Sequence, residues 1–108
     1  MDIYDYVTAG GKNLIIEYID SLPDSERLEL YDIREAIEKL GMEAFKKLII
    51  RPLRGKLWEI KSSQTRIMYV IVDKDSVAFL HICKKQKGKA EKFEIEKAIK
   101  RAKREGLM

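Results

Sequence analysis

Lys56-Leu57-Trp58-Glu59-Ile60-Lys61 is the stretch at which the period of this chain changes. Before it, apolar residues recur every three or four positions; within it they alternate, Trp58 and Ile60 on one side and Leu57, Glu59 and Lys61 on the other. Successive side chains of a strand point to opposite faces, so a strand with one apolar face and one mixed, charged face is predicted here. Ser62-Ser63-Gln64 then makes a turn. Arg66 to Val72 is apolar after its arginine, and Asp73-Lys74-Asp75-Ser76 turns the chain again into Val77 to Cys83. The pattern predicts a three-stranded antiparallel meander whose central strand, Arg66 to Val72, is covered on both faces.

Upstream of this sheet the signals are helical. Leu14, Ile15, Tyr18, Ile19 and Leu22 form an apolar stripe that Pro23 stops. A second helix, capped by Asp24 or Ser25, carries Leu30, Ile33, Ile37 and Leu40 at spacings of 3, 4 and 3, with Gly41 as its C′ residue. The short connection makes the two an antiparallel helical hairpin. Met42 to Ile49 is read as a further helical turn or two, and Arg51-Pro52 as an extended turn leading out of it. Ile3 to Val7, ended by Gly10-Gly11, reads as a short opening strand. Downstream, Ile95, Ala98, Ile99 and Ala102 give a final helix with a narrow apolar stripe among cations. The expected fold is one α+β domain over residues 1–108: opening strand, helical hairpin, meander and C-terminal helix.

Charge divides the chain unequally. Residues 1–45 carry 4 Lys/Arg against 11 Asp/Glu, net −7, and residues 46–108 carry 18 against 7, net +11. Such asymmetry suits a second half that meets a polyanion and a first half that faces solvent or a basic partner; two merely solvated faces are the plainer alternative. The single cysteine, Cys83, can make no internal bridge, which fits a reducing compartment, and cytoplasmic localisation is the default expectation. Neither a secretory signal nor a membrane-spanning run is recognisable, so no membrane partner is expected. Metal-binding clusters, phosphate-binding Walker loops and dinucleotide fingerprints are likewise missing from the sequence, and no cofactor is expected.

Three motifs in order carry a resemblance. Pro52-Leu53-Arg54-Gly55-Lys56-Leu57-Trp58-Glu59-Ile60-Lys61, then Arg66 and Tyr69 in the next strand, then His81 with Lys84 and Lys85 closing the third, make the chain similar to the phage-derived HigB-like branch of the RelE/ParE toxin superfamily. The resemblance spans nearly the whole chain. It implies a type II toxin paired with an antitoxin, often of helix-turn-helix type, and a ribosome-dependent, metal-independent mRNA endonuclease. The implied reaction is attack of an RNA 2′-hydroxyl on the adjacent phosphate, leaving a 2′,3′-cyclic phosphate.

That step needs a base, an acid for the leaving 5′-oxygen, and cations for the charge on the phosphorane. By the resemblance, Arg66 takes the place of the arginine under the scissile phosphate, where a guanidinium fork binds two oxygens while staying charged. Lys84 and Lys85 match the basic pair ending the last strand, with Lys85 the preferred proton-transfer group. Arg54, Lys56, Lys61, Lys87 and Lys89 are expected to hold RNA backbone by charge. The chain departs from RelE itself in having Leu57 and Glu59 where RelE places lysines, and Phe93 near the position of its tyrosine.

Several residues admit two readings. Glu59 is a base opposite Arg66 across the hairpin, or half of a cross-strand salt bridge. His81, the only histidine, is an acid or base, or a hydrogen-bonded, half-buried strand residue. Cys83 fits a small buried hydrophobe better than a nucleophile, and Trp58 and Tyr69 fit core better than base-stacking surface. Two functional alternatives accompany the nuclease: a ParE-like gyrase inhibitor acting by binding, and a phage-derived relative without activity.

Overall fold

The computed structural model describes residues 1–108 as a five-stranded sheet between two helical layers. The strands are β1 (Asp2–Asp5), β2 (Ile49–Arg54), β3 (Leu57–Ser62), β4 (Thr65–Asp73) and β5 (Ser76–Lys84). The helices are α1 (Leu14–Asp20), α2 (Asp24–Leu40), α3 (Met42–Phe45) and α4 (Gly88–Arg104). Strand order is β1-β5-β4-β3-β2; β1 lies parallel to β5 and every other pair is antiparallel. No helix is long and apolar enough to cross a membrane.

The alternation read from Leu57 onward separates two cores. Ile60, Ile67, Tyr69, Val77, Phe79 and Ile82 face α1 to α3 and pack on Ile15, Ile19, Leu30, Ile37 and Phe45, with Trp58 half-buried at the margin. On the opposite face Leu57, Met68, Val70, Ala78, Leu80 and Cys83 meet Ala98, Ile99 and Ala102 of α4. Small residues on α4 bring that helix close to the sheet. Burying each large aliphatic side chain contributes on the order of 2 kcal/mol, and with both faces covered β4 and β5 read as continuous apolar runs.

Five expectations change. The meander has four strands, because Ile49–Arg54, expected as helix and turn, forms β2 along β3. It is an edge strand, the one sheet position where Pro52 can lack an N–H without breaking a central ladder. The helical segment after Gly41 is correspondingly only Met42–Phe45. Neither Asp24 nor Ser25 caps α2: Pro23 holds that position with no side-chain bond, and Asp24 pairs with Arg27 within the first turn. Finally, α1 ends at Asp20, and the opening strand ends at Asp5, Val7 making only an isolated bridge to Asn13.

The register of β5 positions the site. Met68 pairs with His81 and Tyr69 with Phe79, so Leu80 is an extra residue on β5 and its alternation shifts by one. Strict alternation from Phe79 would send His81 and Cys83 to the hairpin face. The bulge turns both toward α4 and gives the hairpin face Ile82 instead.

Candidate functional site

The face of the sheet under the N-terminal half of α4 holds a hollow of about 70 Å³. Arg51, Glu59, Lys61, Arg66, Met68, Cys83, Lys85, Gln86, Glu91 and Glu94 line it. Strand register assembles them: Lys61 lies opposite Arg66, Arg66 opposite Cys83, and Glu59 opposite Met68. Glu59 is therefore not opposite Arg66, and its ion-pair partner is Arg51 of β2, Nε to Oε2 at 3.0 Å. With 2 % exposure, Glu59 is a carboxylate taken out of water and compensated by that guanidinium.

Arg51 also reaches across to α4, its Nη2 lying 2.9 Å from Glu91. Arg66 is held differently. Its Nη1 donates to the Ser63 and Thr65 carbonyls, both at 2.9 Å, and it forms no ion pair. Those bonds curl the guanidinium onto its own β-turn, where Ser63 takes a left-handed φ of 54°. The fork stays charged and keeps donors free, next to Lys61 and Lys85. Lys85 is fixed through its backbone, whose N–H donates to Gln64 at 2.6 Å.

His81 is buried on the same face, and both its ring nitrogens are engaged. Arg101 donates from Nη1 to Nδ1 at 3.1 Å, so the proton resides on Nε2, which faces Glu94 Oε2 at 2.5 Å. Burial pulls the His81 pKa below its ordinary value; Glu94 works against this, and Arg101 and Lys97 add to it. The Cys83 thiol turns to the same carboxylate, and burial pushes it up to about 12. Burial also raises Glu94, but its bonds with His81 and Cys83 and the charge of Lys97 outweigh that and hold it below the usual range.

His81, Cys83 and Glu94 converge with ligand atoms within 4.8 Å of one another, a spacing that invites comparison with a metal site. Arg101 decides against it. A guanidinium can only donate, so its bond to Nδ1 leaves no lone pair on Nε2 for a cation, and its charge repels one. The triad is a hydrogen-bonded tie between β5 and α4. Its engagement takes His81 out of contention as a free acid or base.

The structure thus brings Arg66, Lys85, Lys61 and Glu59 to one hollow. Lys84, paired with Thr65, points away from it, and Lys87 and Lys89 are exposed at the start of α4. Arg54 and Lys56 lie at the other end of β3, five residues and about 17 Å from Lys61. They are not part of this site. Arg51, Gln86, Glu91 and Glu94 are the polar lining residues that sequence reading missed. The signal for Arg51 was present, an arginine in an alternating stretch ahead of a β-turn, but its proline neighbour masked the strand.

A mostly antiparallel five-stranded sheet with a helical hairpin on one face, a basic helix on the other and a cationic hollow between sheet and helix is an α+β domain consistent with the RelE-like fold. A family model matches residues 17–103, from α1 into the last turn of α4: the chain belongs to the phage-derived Gp49-like proteins (DUF891), a family associated with RelE/HigB-like toxins. Comparison with curated proteins gives no match.

Proposed function

We propose that this chain is the HigB-like toxin of a toxin–antitoxin pair and that it cleaves mRNA on the ribosome without a metal ion. The observation that carries the reading is Arg66, a guanidinium free of carboxylates, at a hollow it shares with Lys61 and Lys85. At about 70 Å³ the hollow suits a phosphate group and excludes a nucleoside, since whole-ligand clefts run to roughly 300 Å³ and above. Arg66 takes the non-bridging phosphate oxygens, and Lys61 steadies the flanking backbone.

In the reaction the 2′-oxygen bonds to phosphorus and the P–O5′ bond breaks, giving a 2′,3′-cyclic phosphate and a 5′-hydroxyl. Glu59, whose Oε1 is not taken by Arg51, receives the 2′-proton, and the Lys85 ammonium protonates the 5′-oxygen. Arg66 and Lys61 offset the extra charge of the phosphorane. Membership of a family associated with RelE/HigB-like toxins supports the reading, and an antitoxin, of helix-turn-helix type in the HigB-like pattern, is the expected partner.

Induction of the chain alone tests this in cells. Translation should stop, cellular mRNAs should acquire new 5′-hydroxyl ends, and co-expression of a neighbouring helix-turn-helix protein should restore growth. Arrest with intact mRNA and a DNA-damage response would select gyrase inhibition instead.

A further inference from the structure

Helix α4 sorts its charges by face. It carries three carboxylates, and two of them point at the sheet, Glu91 to Arg51 and Glu94 to His81, as does Arg101. Lys89, Lys92, Lys97, Lys100 and Lys103 are all exposed, with Glu96 the one carboxylate among them. At ~100° per residue these lysines fall within an arc of about 140° opposite Ala98 and Ala102. From Lys89 to Lys103 the stripe runs about 21 Å along the helix.

Three lysines elsewhere on the protein are paired with carboxylates. Lys12 meets Glu17, Lys39 meets Glu35 and Lys46 meets Glu43. None of the five α4 lysines forms an ion pair. Phe93, 62 % exposed, lies among them with Lys97 Nζ 5.6 Å from its ring centre. Five like charges along one ridge repel each other, and a polyanion laid along the helix relieves that repulsion. The stripe begins at Lys89, in the half of α4 whose sheet-facing residues Glu91 and Glu94 line the Arg66 hollow, but on the opposite, solvent side of the helix.

We infer that the outer face of α4 is a docking surface for the phosphate backbone of helical RNA, separate from the hollow. Choice of RNA as the polyanion rests on the function proposed above; the surface itself rests on the sorting of charge. Helical RNA fits because a rigid ridge of point charges matches a regular row of phosphates and reads no bases. This surface would hold structured RNA while the hollow handles a single phosphate of another strand.

The test measures binding of a short RNA duplex by fluorescence anisotropy across a salt series, for the wild-type chain and three variants. Lys92→Gln/Lys100→Gln/Lys103→Gln removes three stripe charges. Lys12→Gln/Lys39→Gln/Lys46→Gln removes as many from elsewhere on the surface, and Arg66→Ala takes the guanidinium from the hollow. The stripe variant should bind about tenfold or more weakly near 0.1 M salt, and its log K against log salt slope should fall by about 3. The control triple and Arg66→Ala should stay within about twofold of wild type, and all three stripe positions changed to arginine should restore affinity. Equal losses in the two triples, or an unchanged slope in the stripe variant, would overturn the inference. Assay of mRNA cleavage on ribosomes with the same proteins separates the claims: duplex binding without cleavage removes the nuclease and leaves the surface, and cleavage with no stripe-dependent binding does the reverse.

Discussion

Arg51 on β2 and Glu91 in the first part of α4 meet at 2.9 Å, and this ion pair ties the least packed end of the helix down over the Arg66 hollow. The buried residues of α4 are Ala98, Ile99 and Ala102, all in its second half. Lys87, which precedes the helix in the N-cap position, makes no side-chain cap, so the first half is held by charge, through Glu91 and Glu94. Glu91→Gln should therefore cost little stability, under about 1 kcal/mol, because the pair is partly solvated. It should still speed amide exchange in residues 88–94 well above that of residues 98–102. Uniform exchange along α4 in this variant would show that the pair is not the tether.

Arg51 has a second partner, and the two substitutions should differ sharply. Arg51→Ala leaves the Glu59 carboxylate, 2 % exposed, without its cation, which should destabilise the fold by about 3 kcal/mol in urea denaturation. Adding Glu59→Gln to Arg51→Ala should recover a large part of that loss. A double variant no more stable than Arg51→Ala would mean that the arginine acts by packing rather than by charge.

Stability should depend on pH through His81. Burial lowers its folded-state pKa below the ordinary 6.5, so the unfolded chain takes up the proton first as pH falls. The contribution is complete above about pH 6.5 and is lost as pH drops through the folded value. Glu94, also lowered, adds a separate loss that begins near its ordinary 4.5 and continues below it. Urea midpoints between pH 7.5 and 5 should decline in the wild type and flatten in His81→Gln. A slope that survives in His81→Gln would place the titrating group elsewhere.

Cys83 should be inert in the folded protein. Its thiol is buried beside the Glu94 carboxylate and pushed up to about 12, leaving almost no thiolate at neutral pH. Alkylation by iodoacetamide should be slower by two or more orders of magnitude in buffer than in denaturing urea. Comparable rates in the two would mean that α4 opens far more often than its packing on Leu57, Met68 and Leu80 implies.

The parts of the fold legible in the sequence are those where period and burial agree. Leu57 to Lys61 alternates because α4 and the hairpin cover opposite faces, and Leu30 to Ile37 shows a helical period because α2 buries one stripe. Two features resisted reading for physical reasons. An edge strand needs ladder bonds on one side only, so β2 tolerates Pro52, the residue that most strongly signals a turn. The bulge at Leu80 leaves no mark in composition, yet it reverses which face receives Cys83 and turns His81 toward Arg101 and Glu94.

The same distinction holds for the site. Arg66 and Lys85 were picked out by the family resemblance, and strand register with a hairpin turn brings them together with Lys61. The partner of Glu59 was not legible, since it depends on the register of an unrecognised strand, and Glu91 lies 40 residues from Arg51. Arg54 and Lys56 were expected to hold RNA backbone by charge. Strand length carries them away from the site.

Cleavage by Arg66→Ala on purified ribosomes tests the central claim most directly. Ribosomes programmed with a defined mRNA would be incubated with wild-type or Arg66→Ala protein in excess chelator, and RNA ends mapped by primer extension. The account predicts wild-type cleavage that leaves 2′,3′-cyclic phosphate and 5′-hydroxyl ends, and a reduction of at least about 100-fold in Arg66→Ala, because the lost donor acts on charge that develops in the transition state. Undiminished cleavage by a folded Arg66→Ala protein, or none by the wild type, would contradict it.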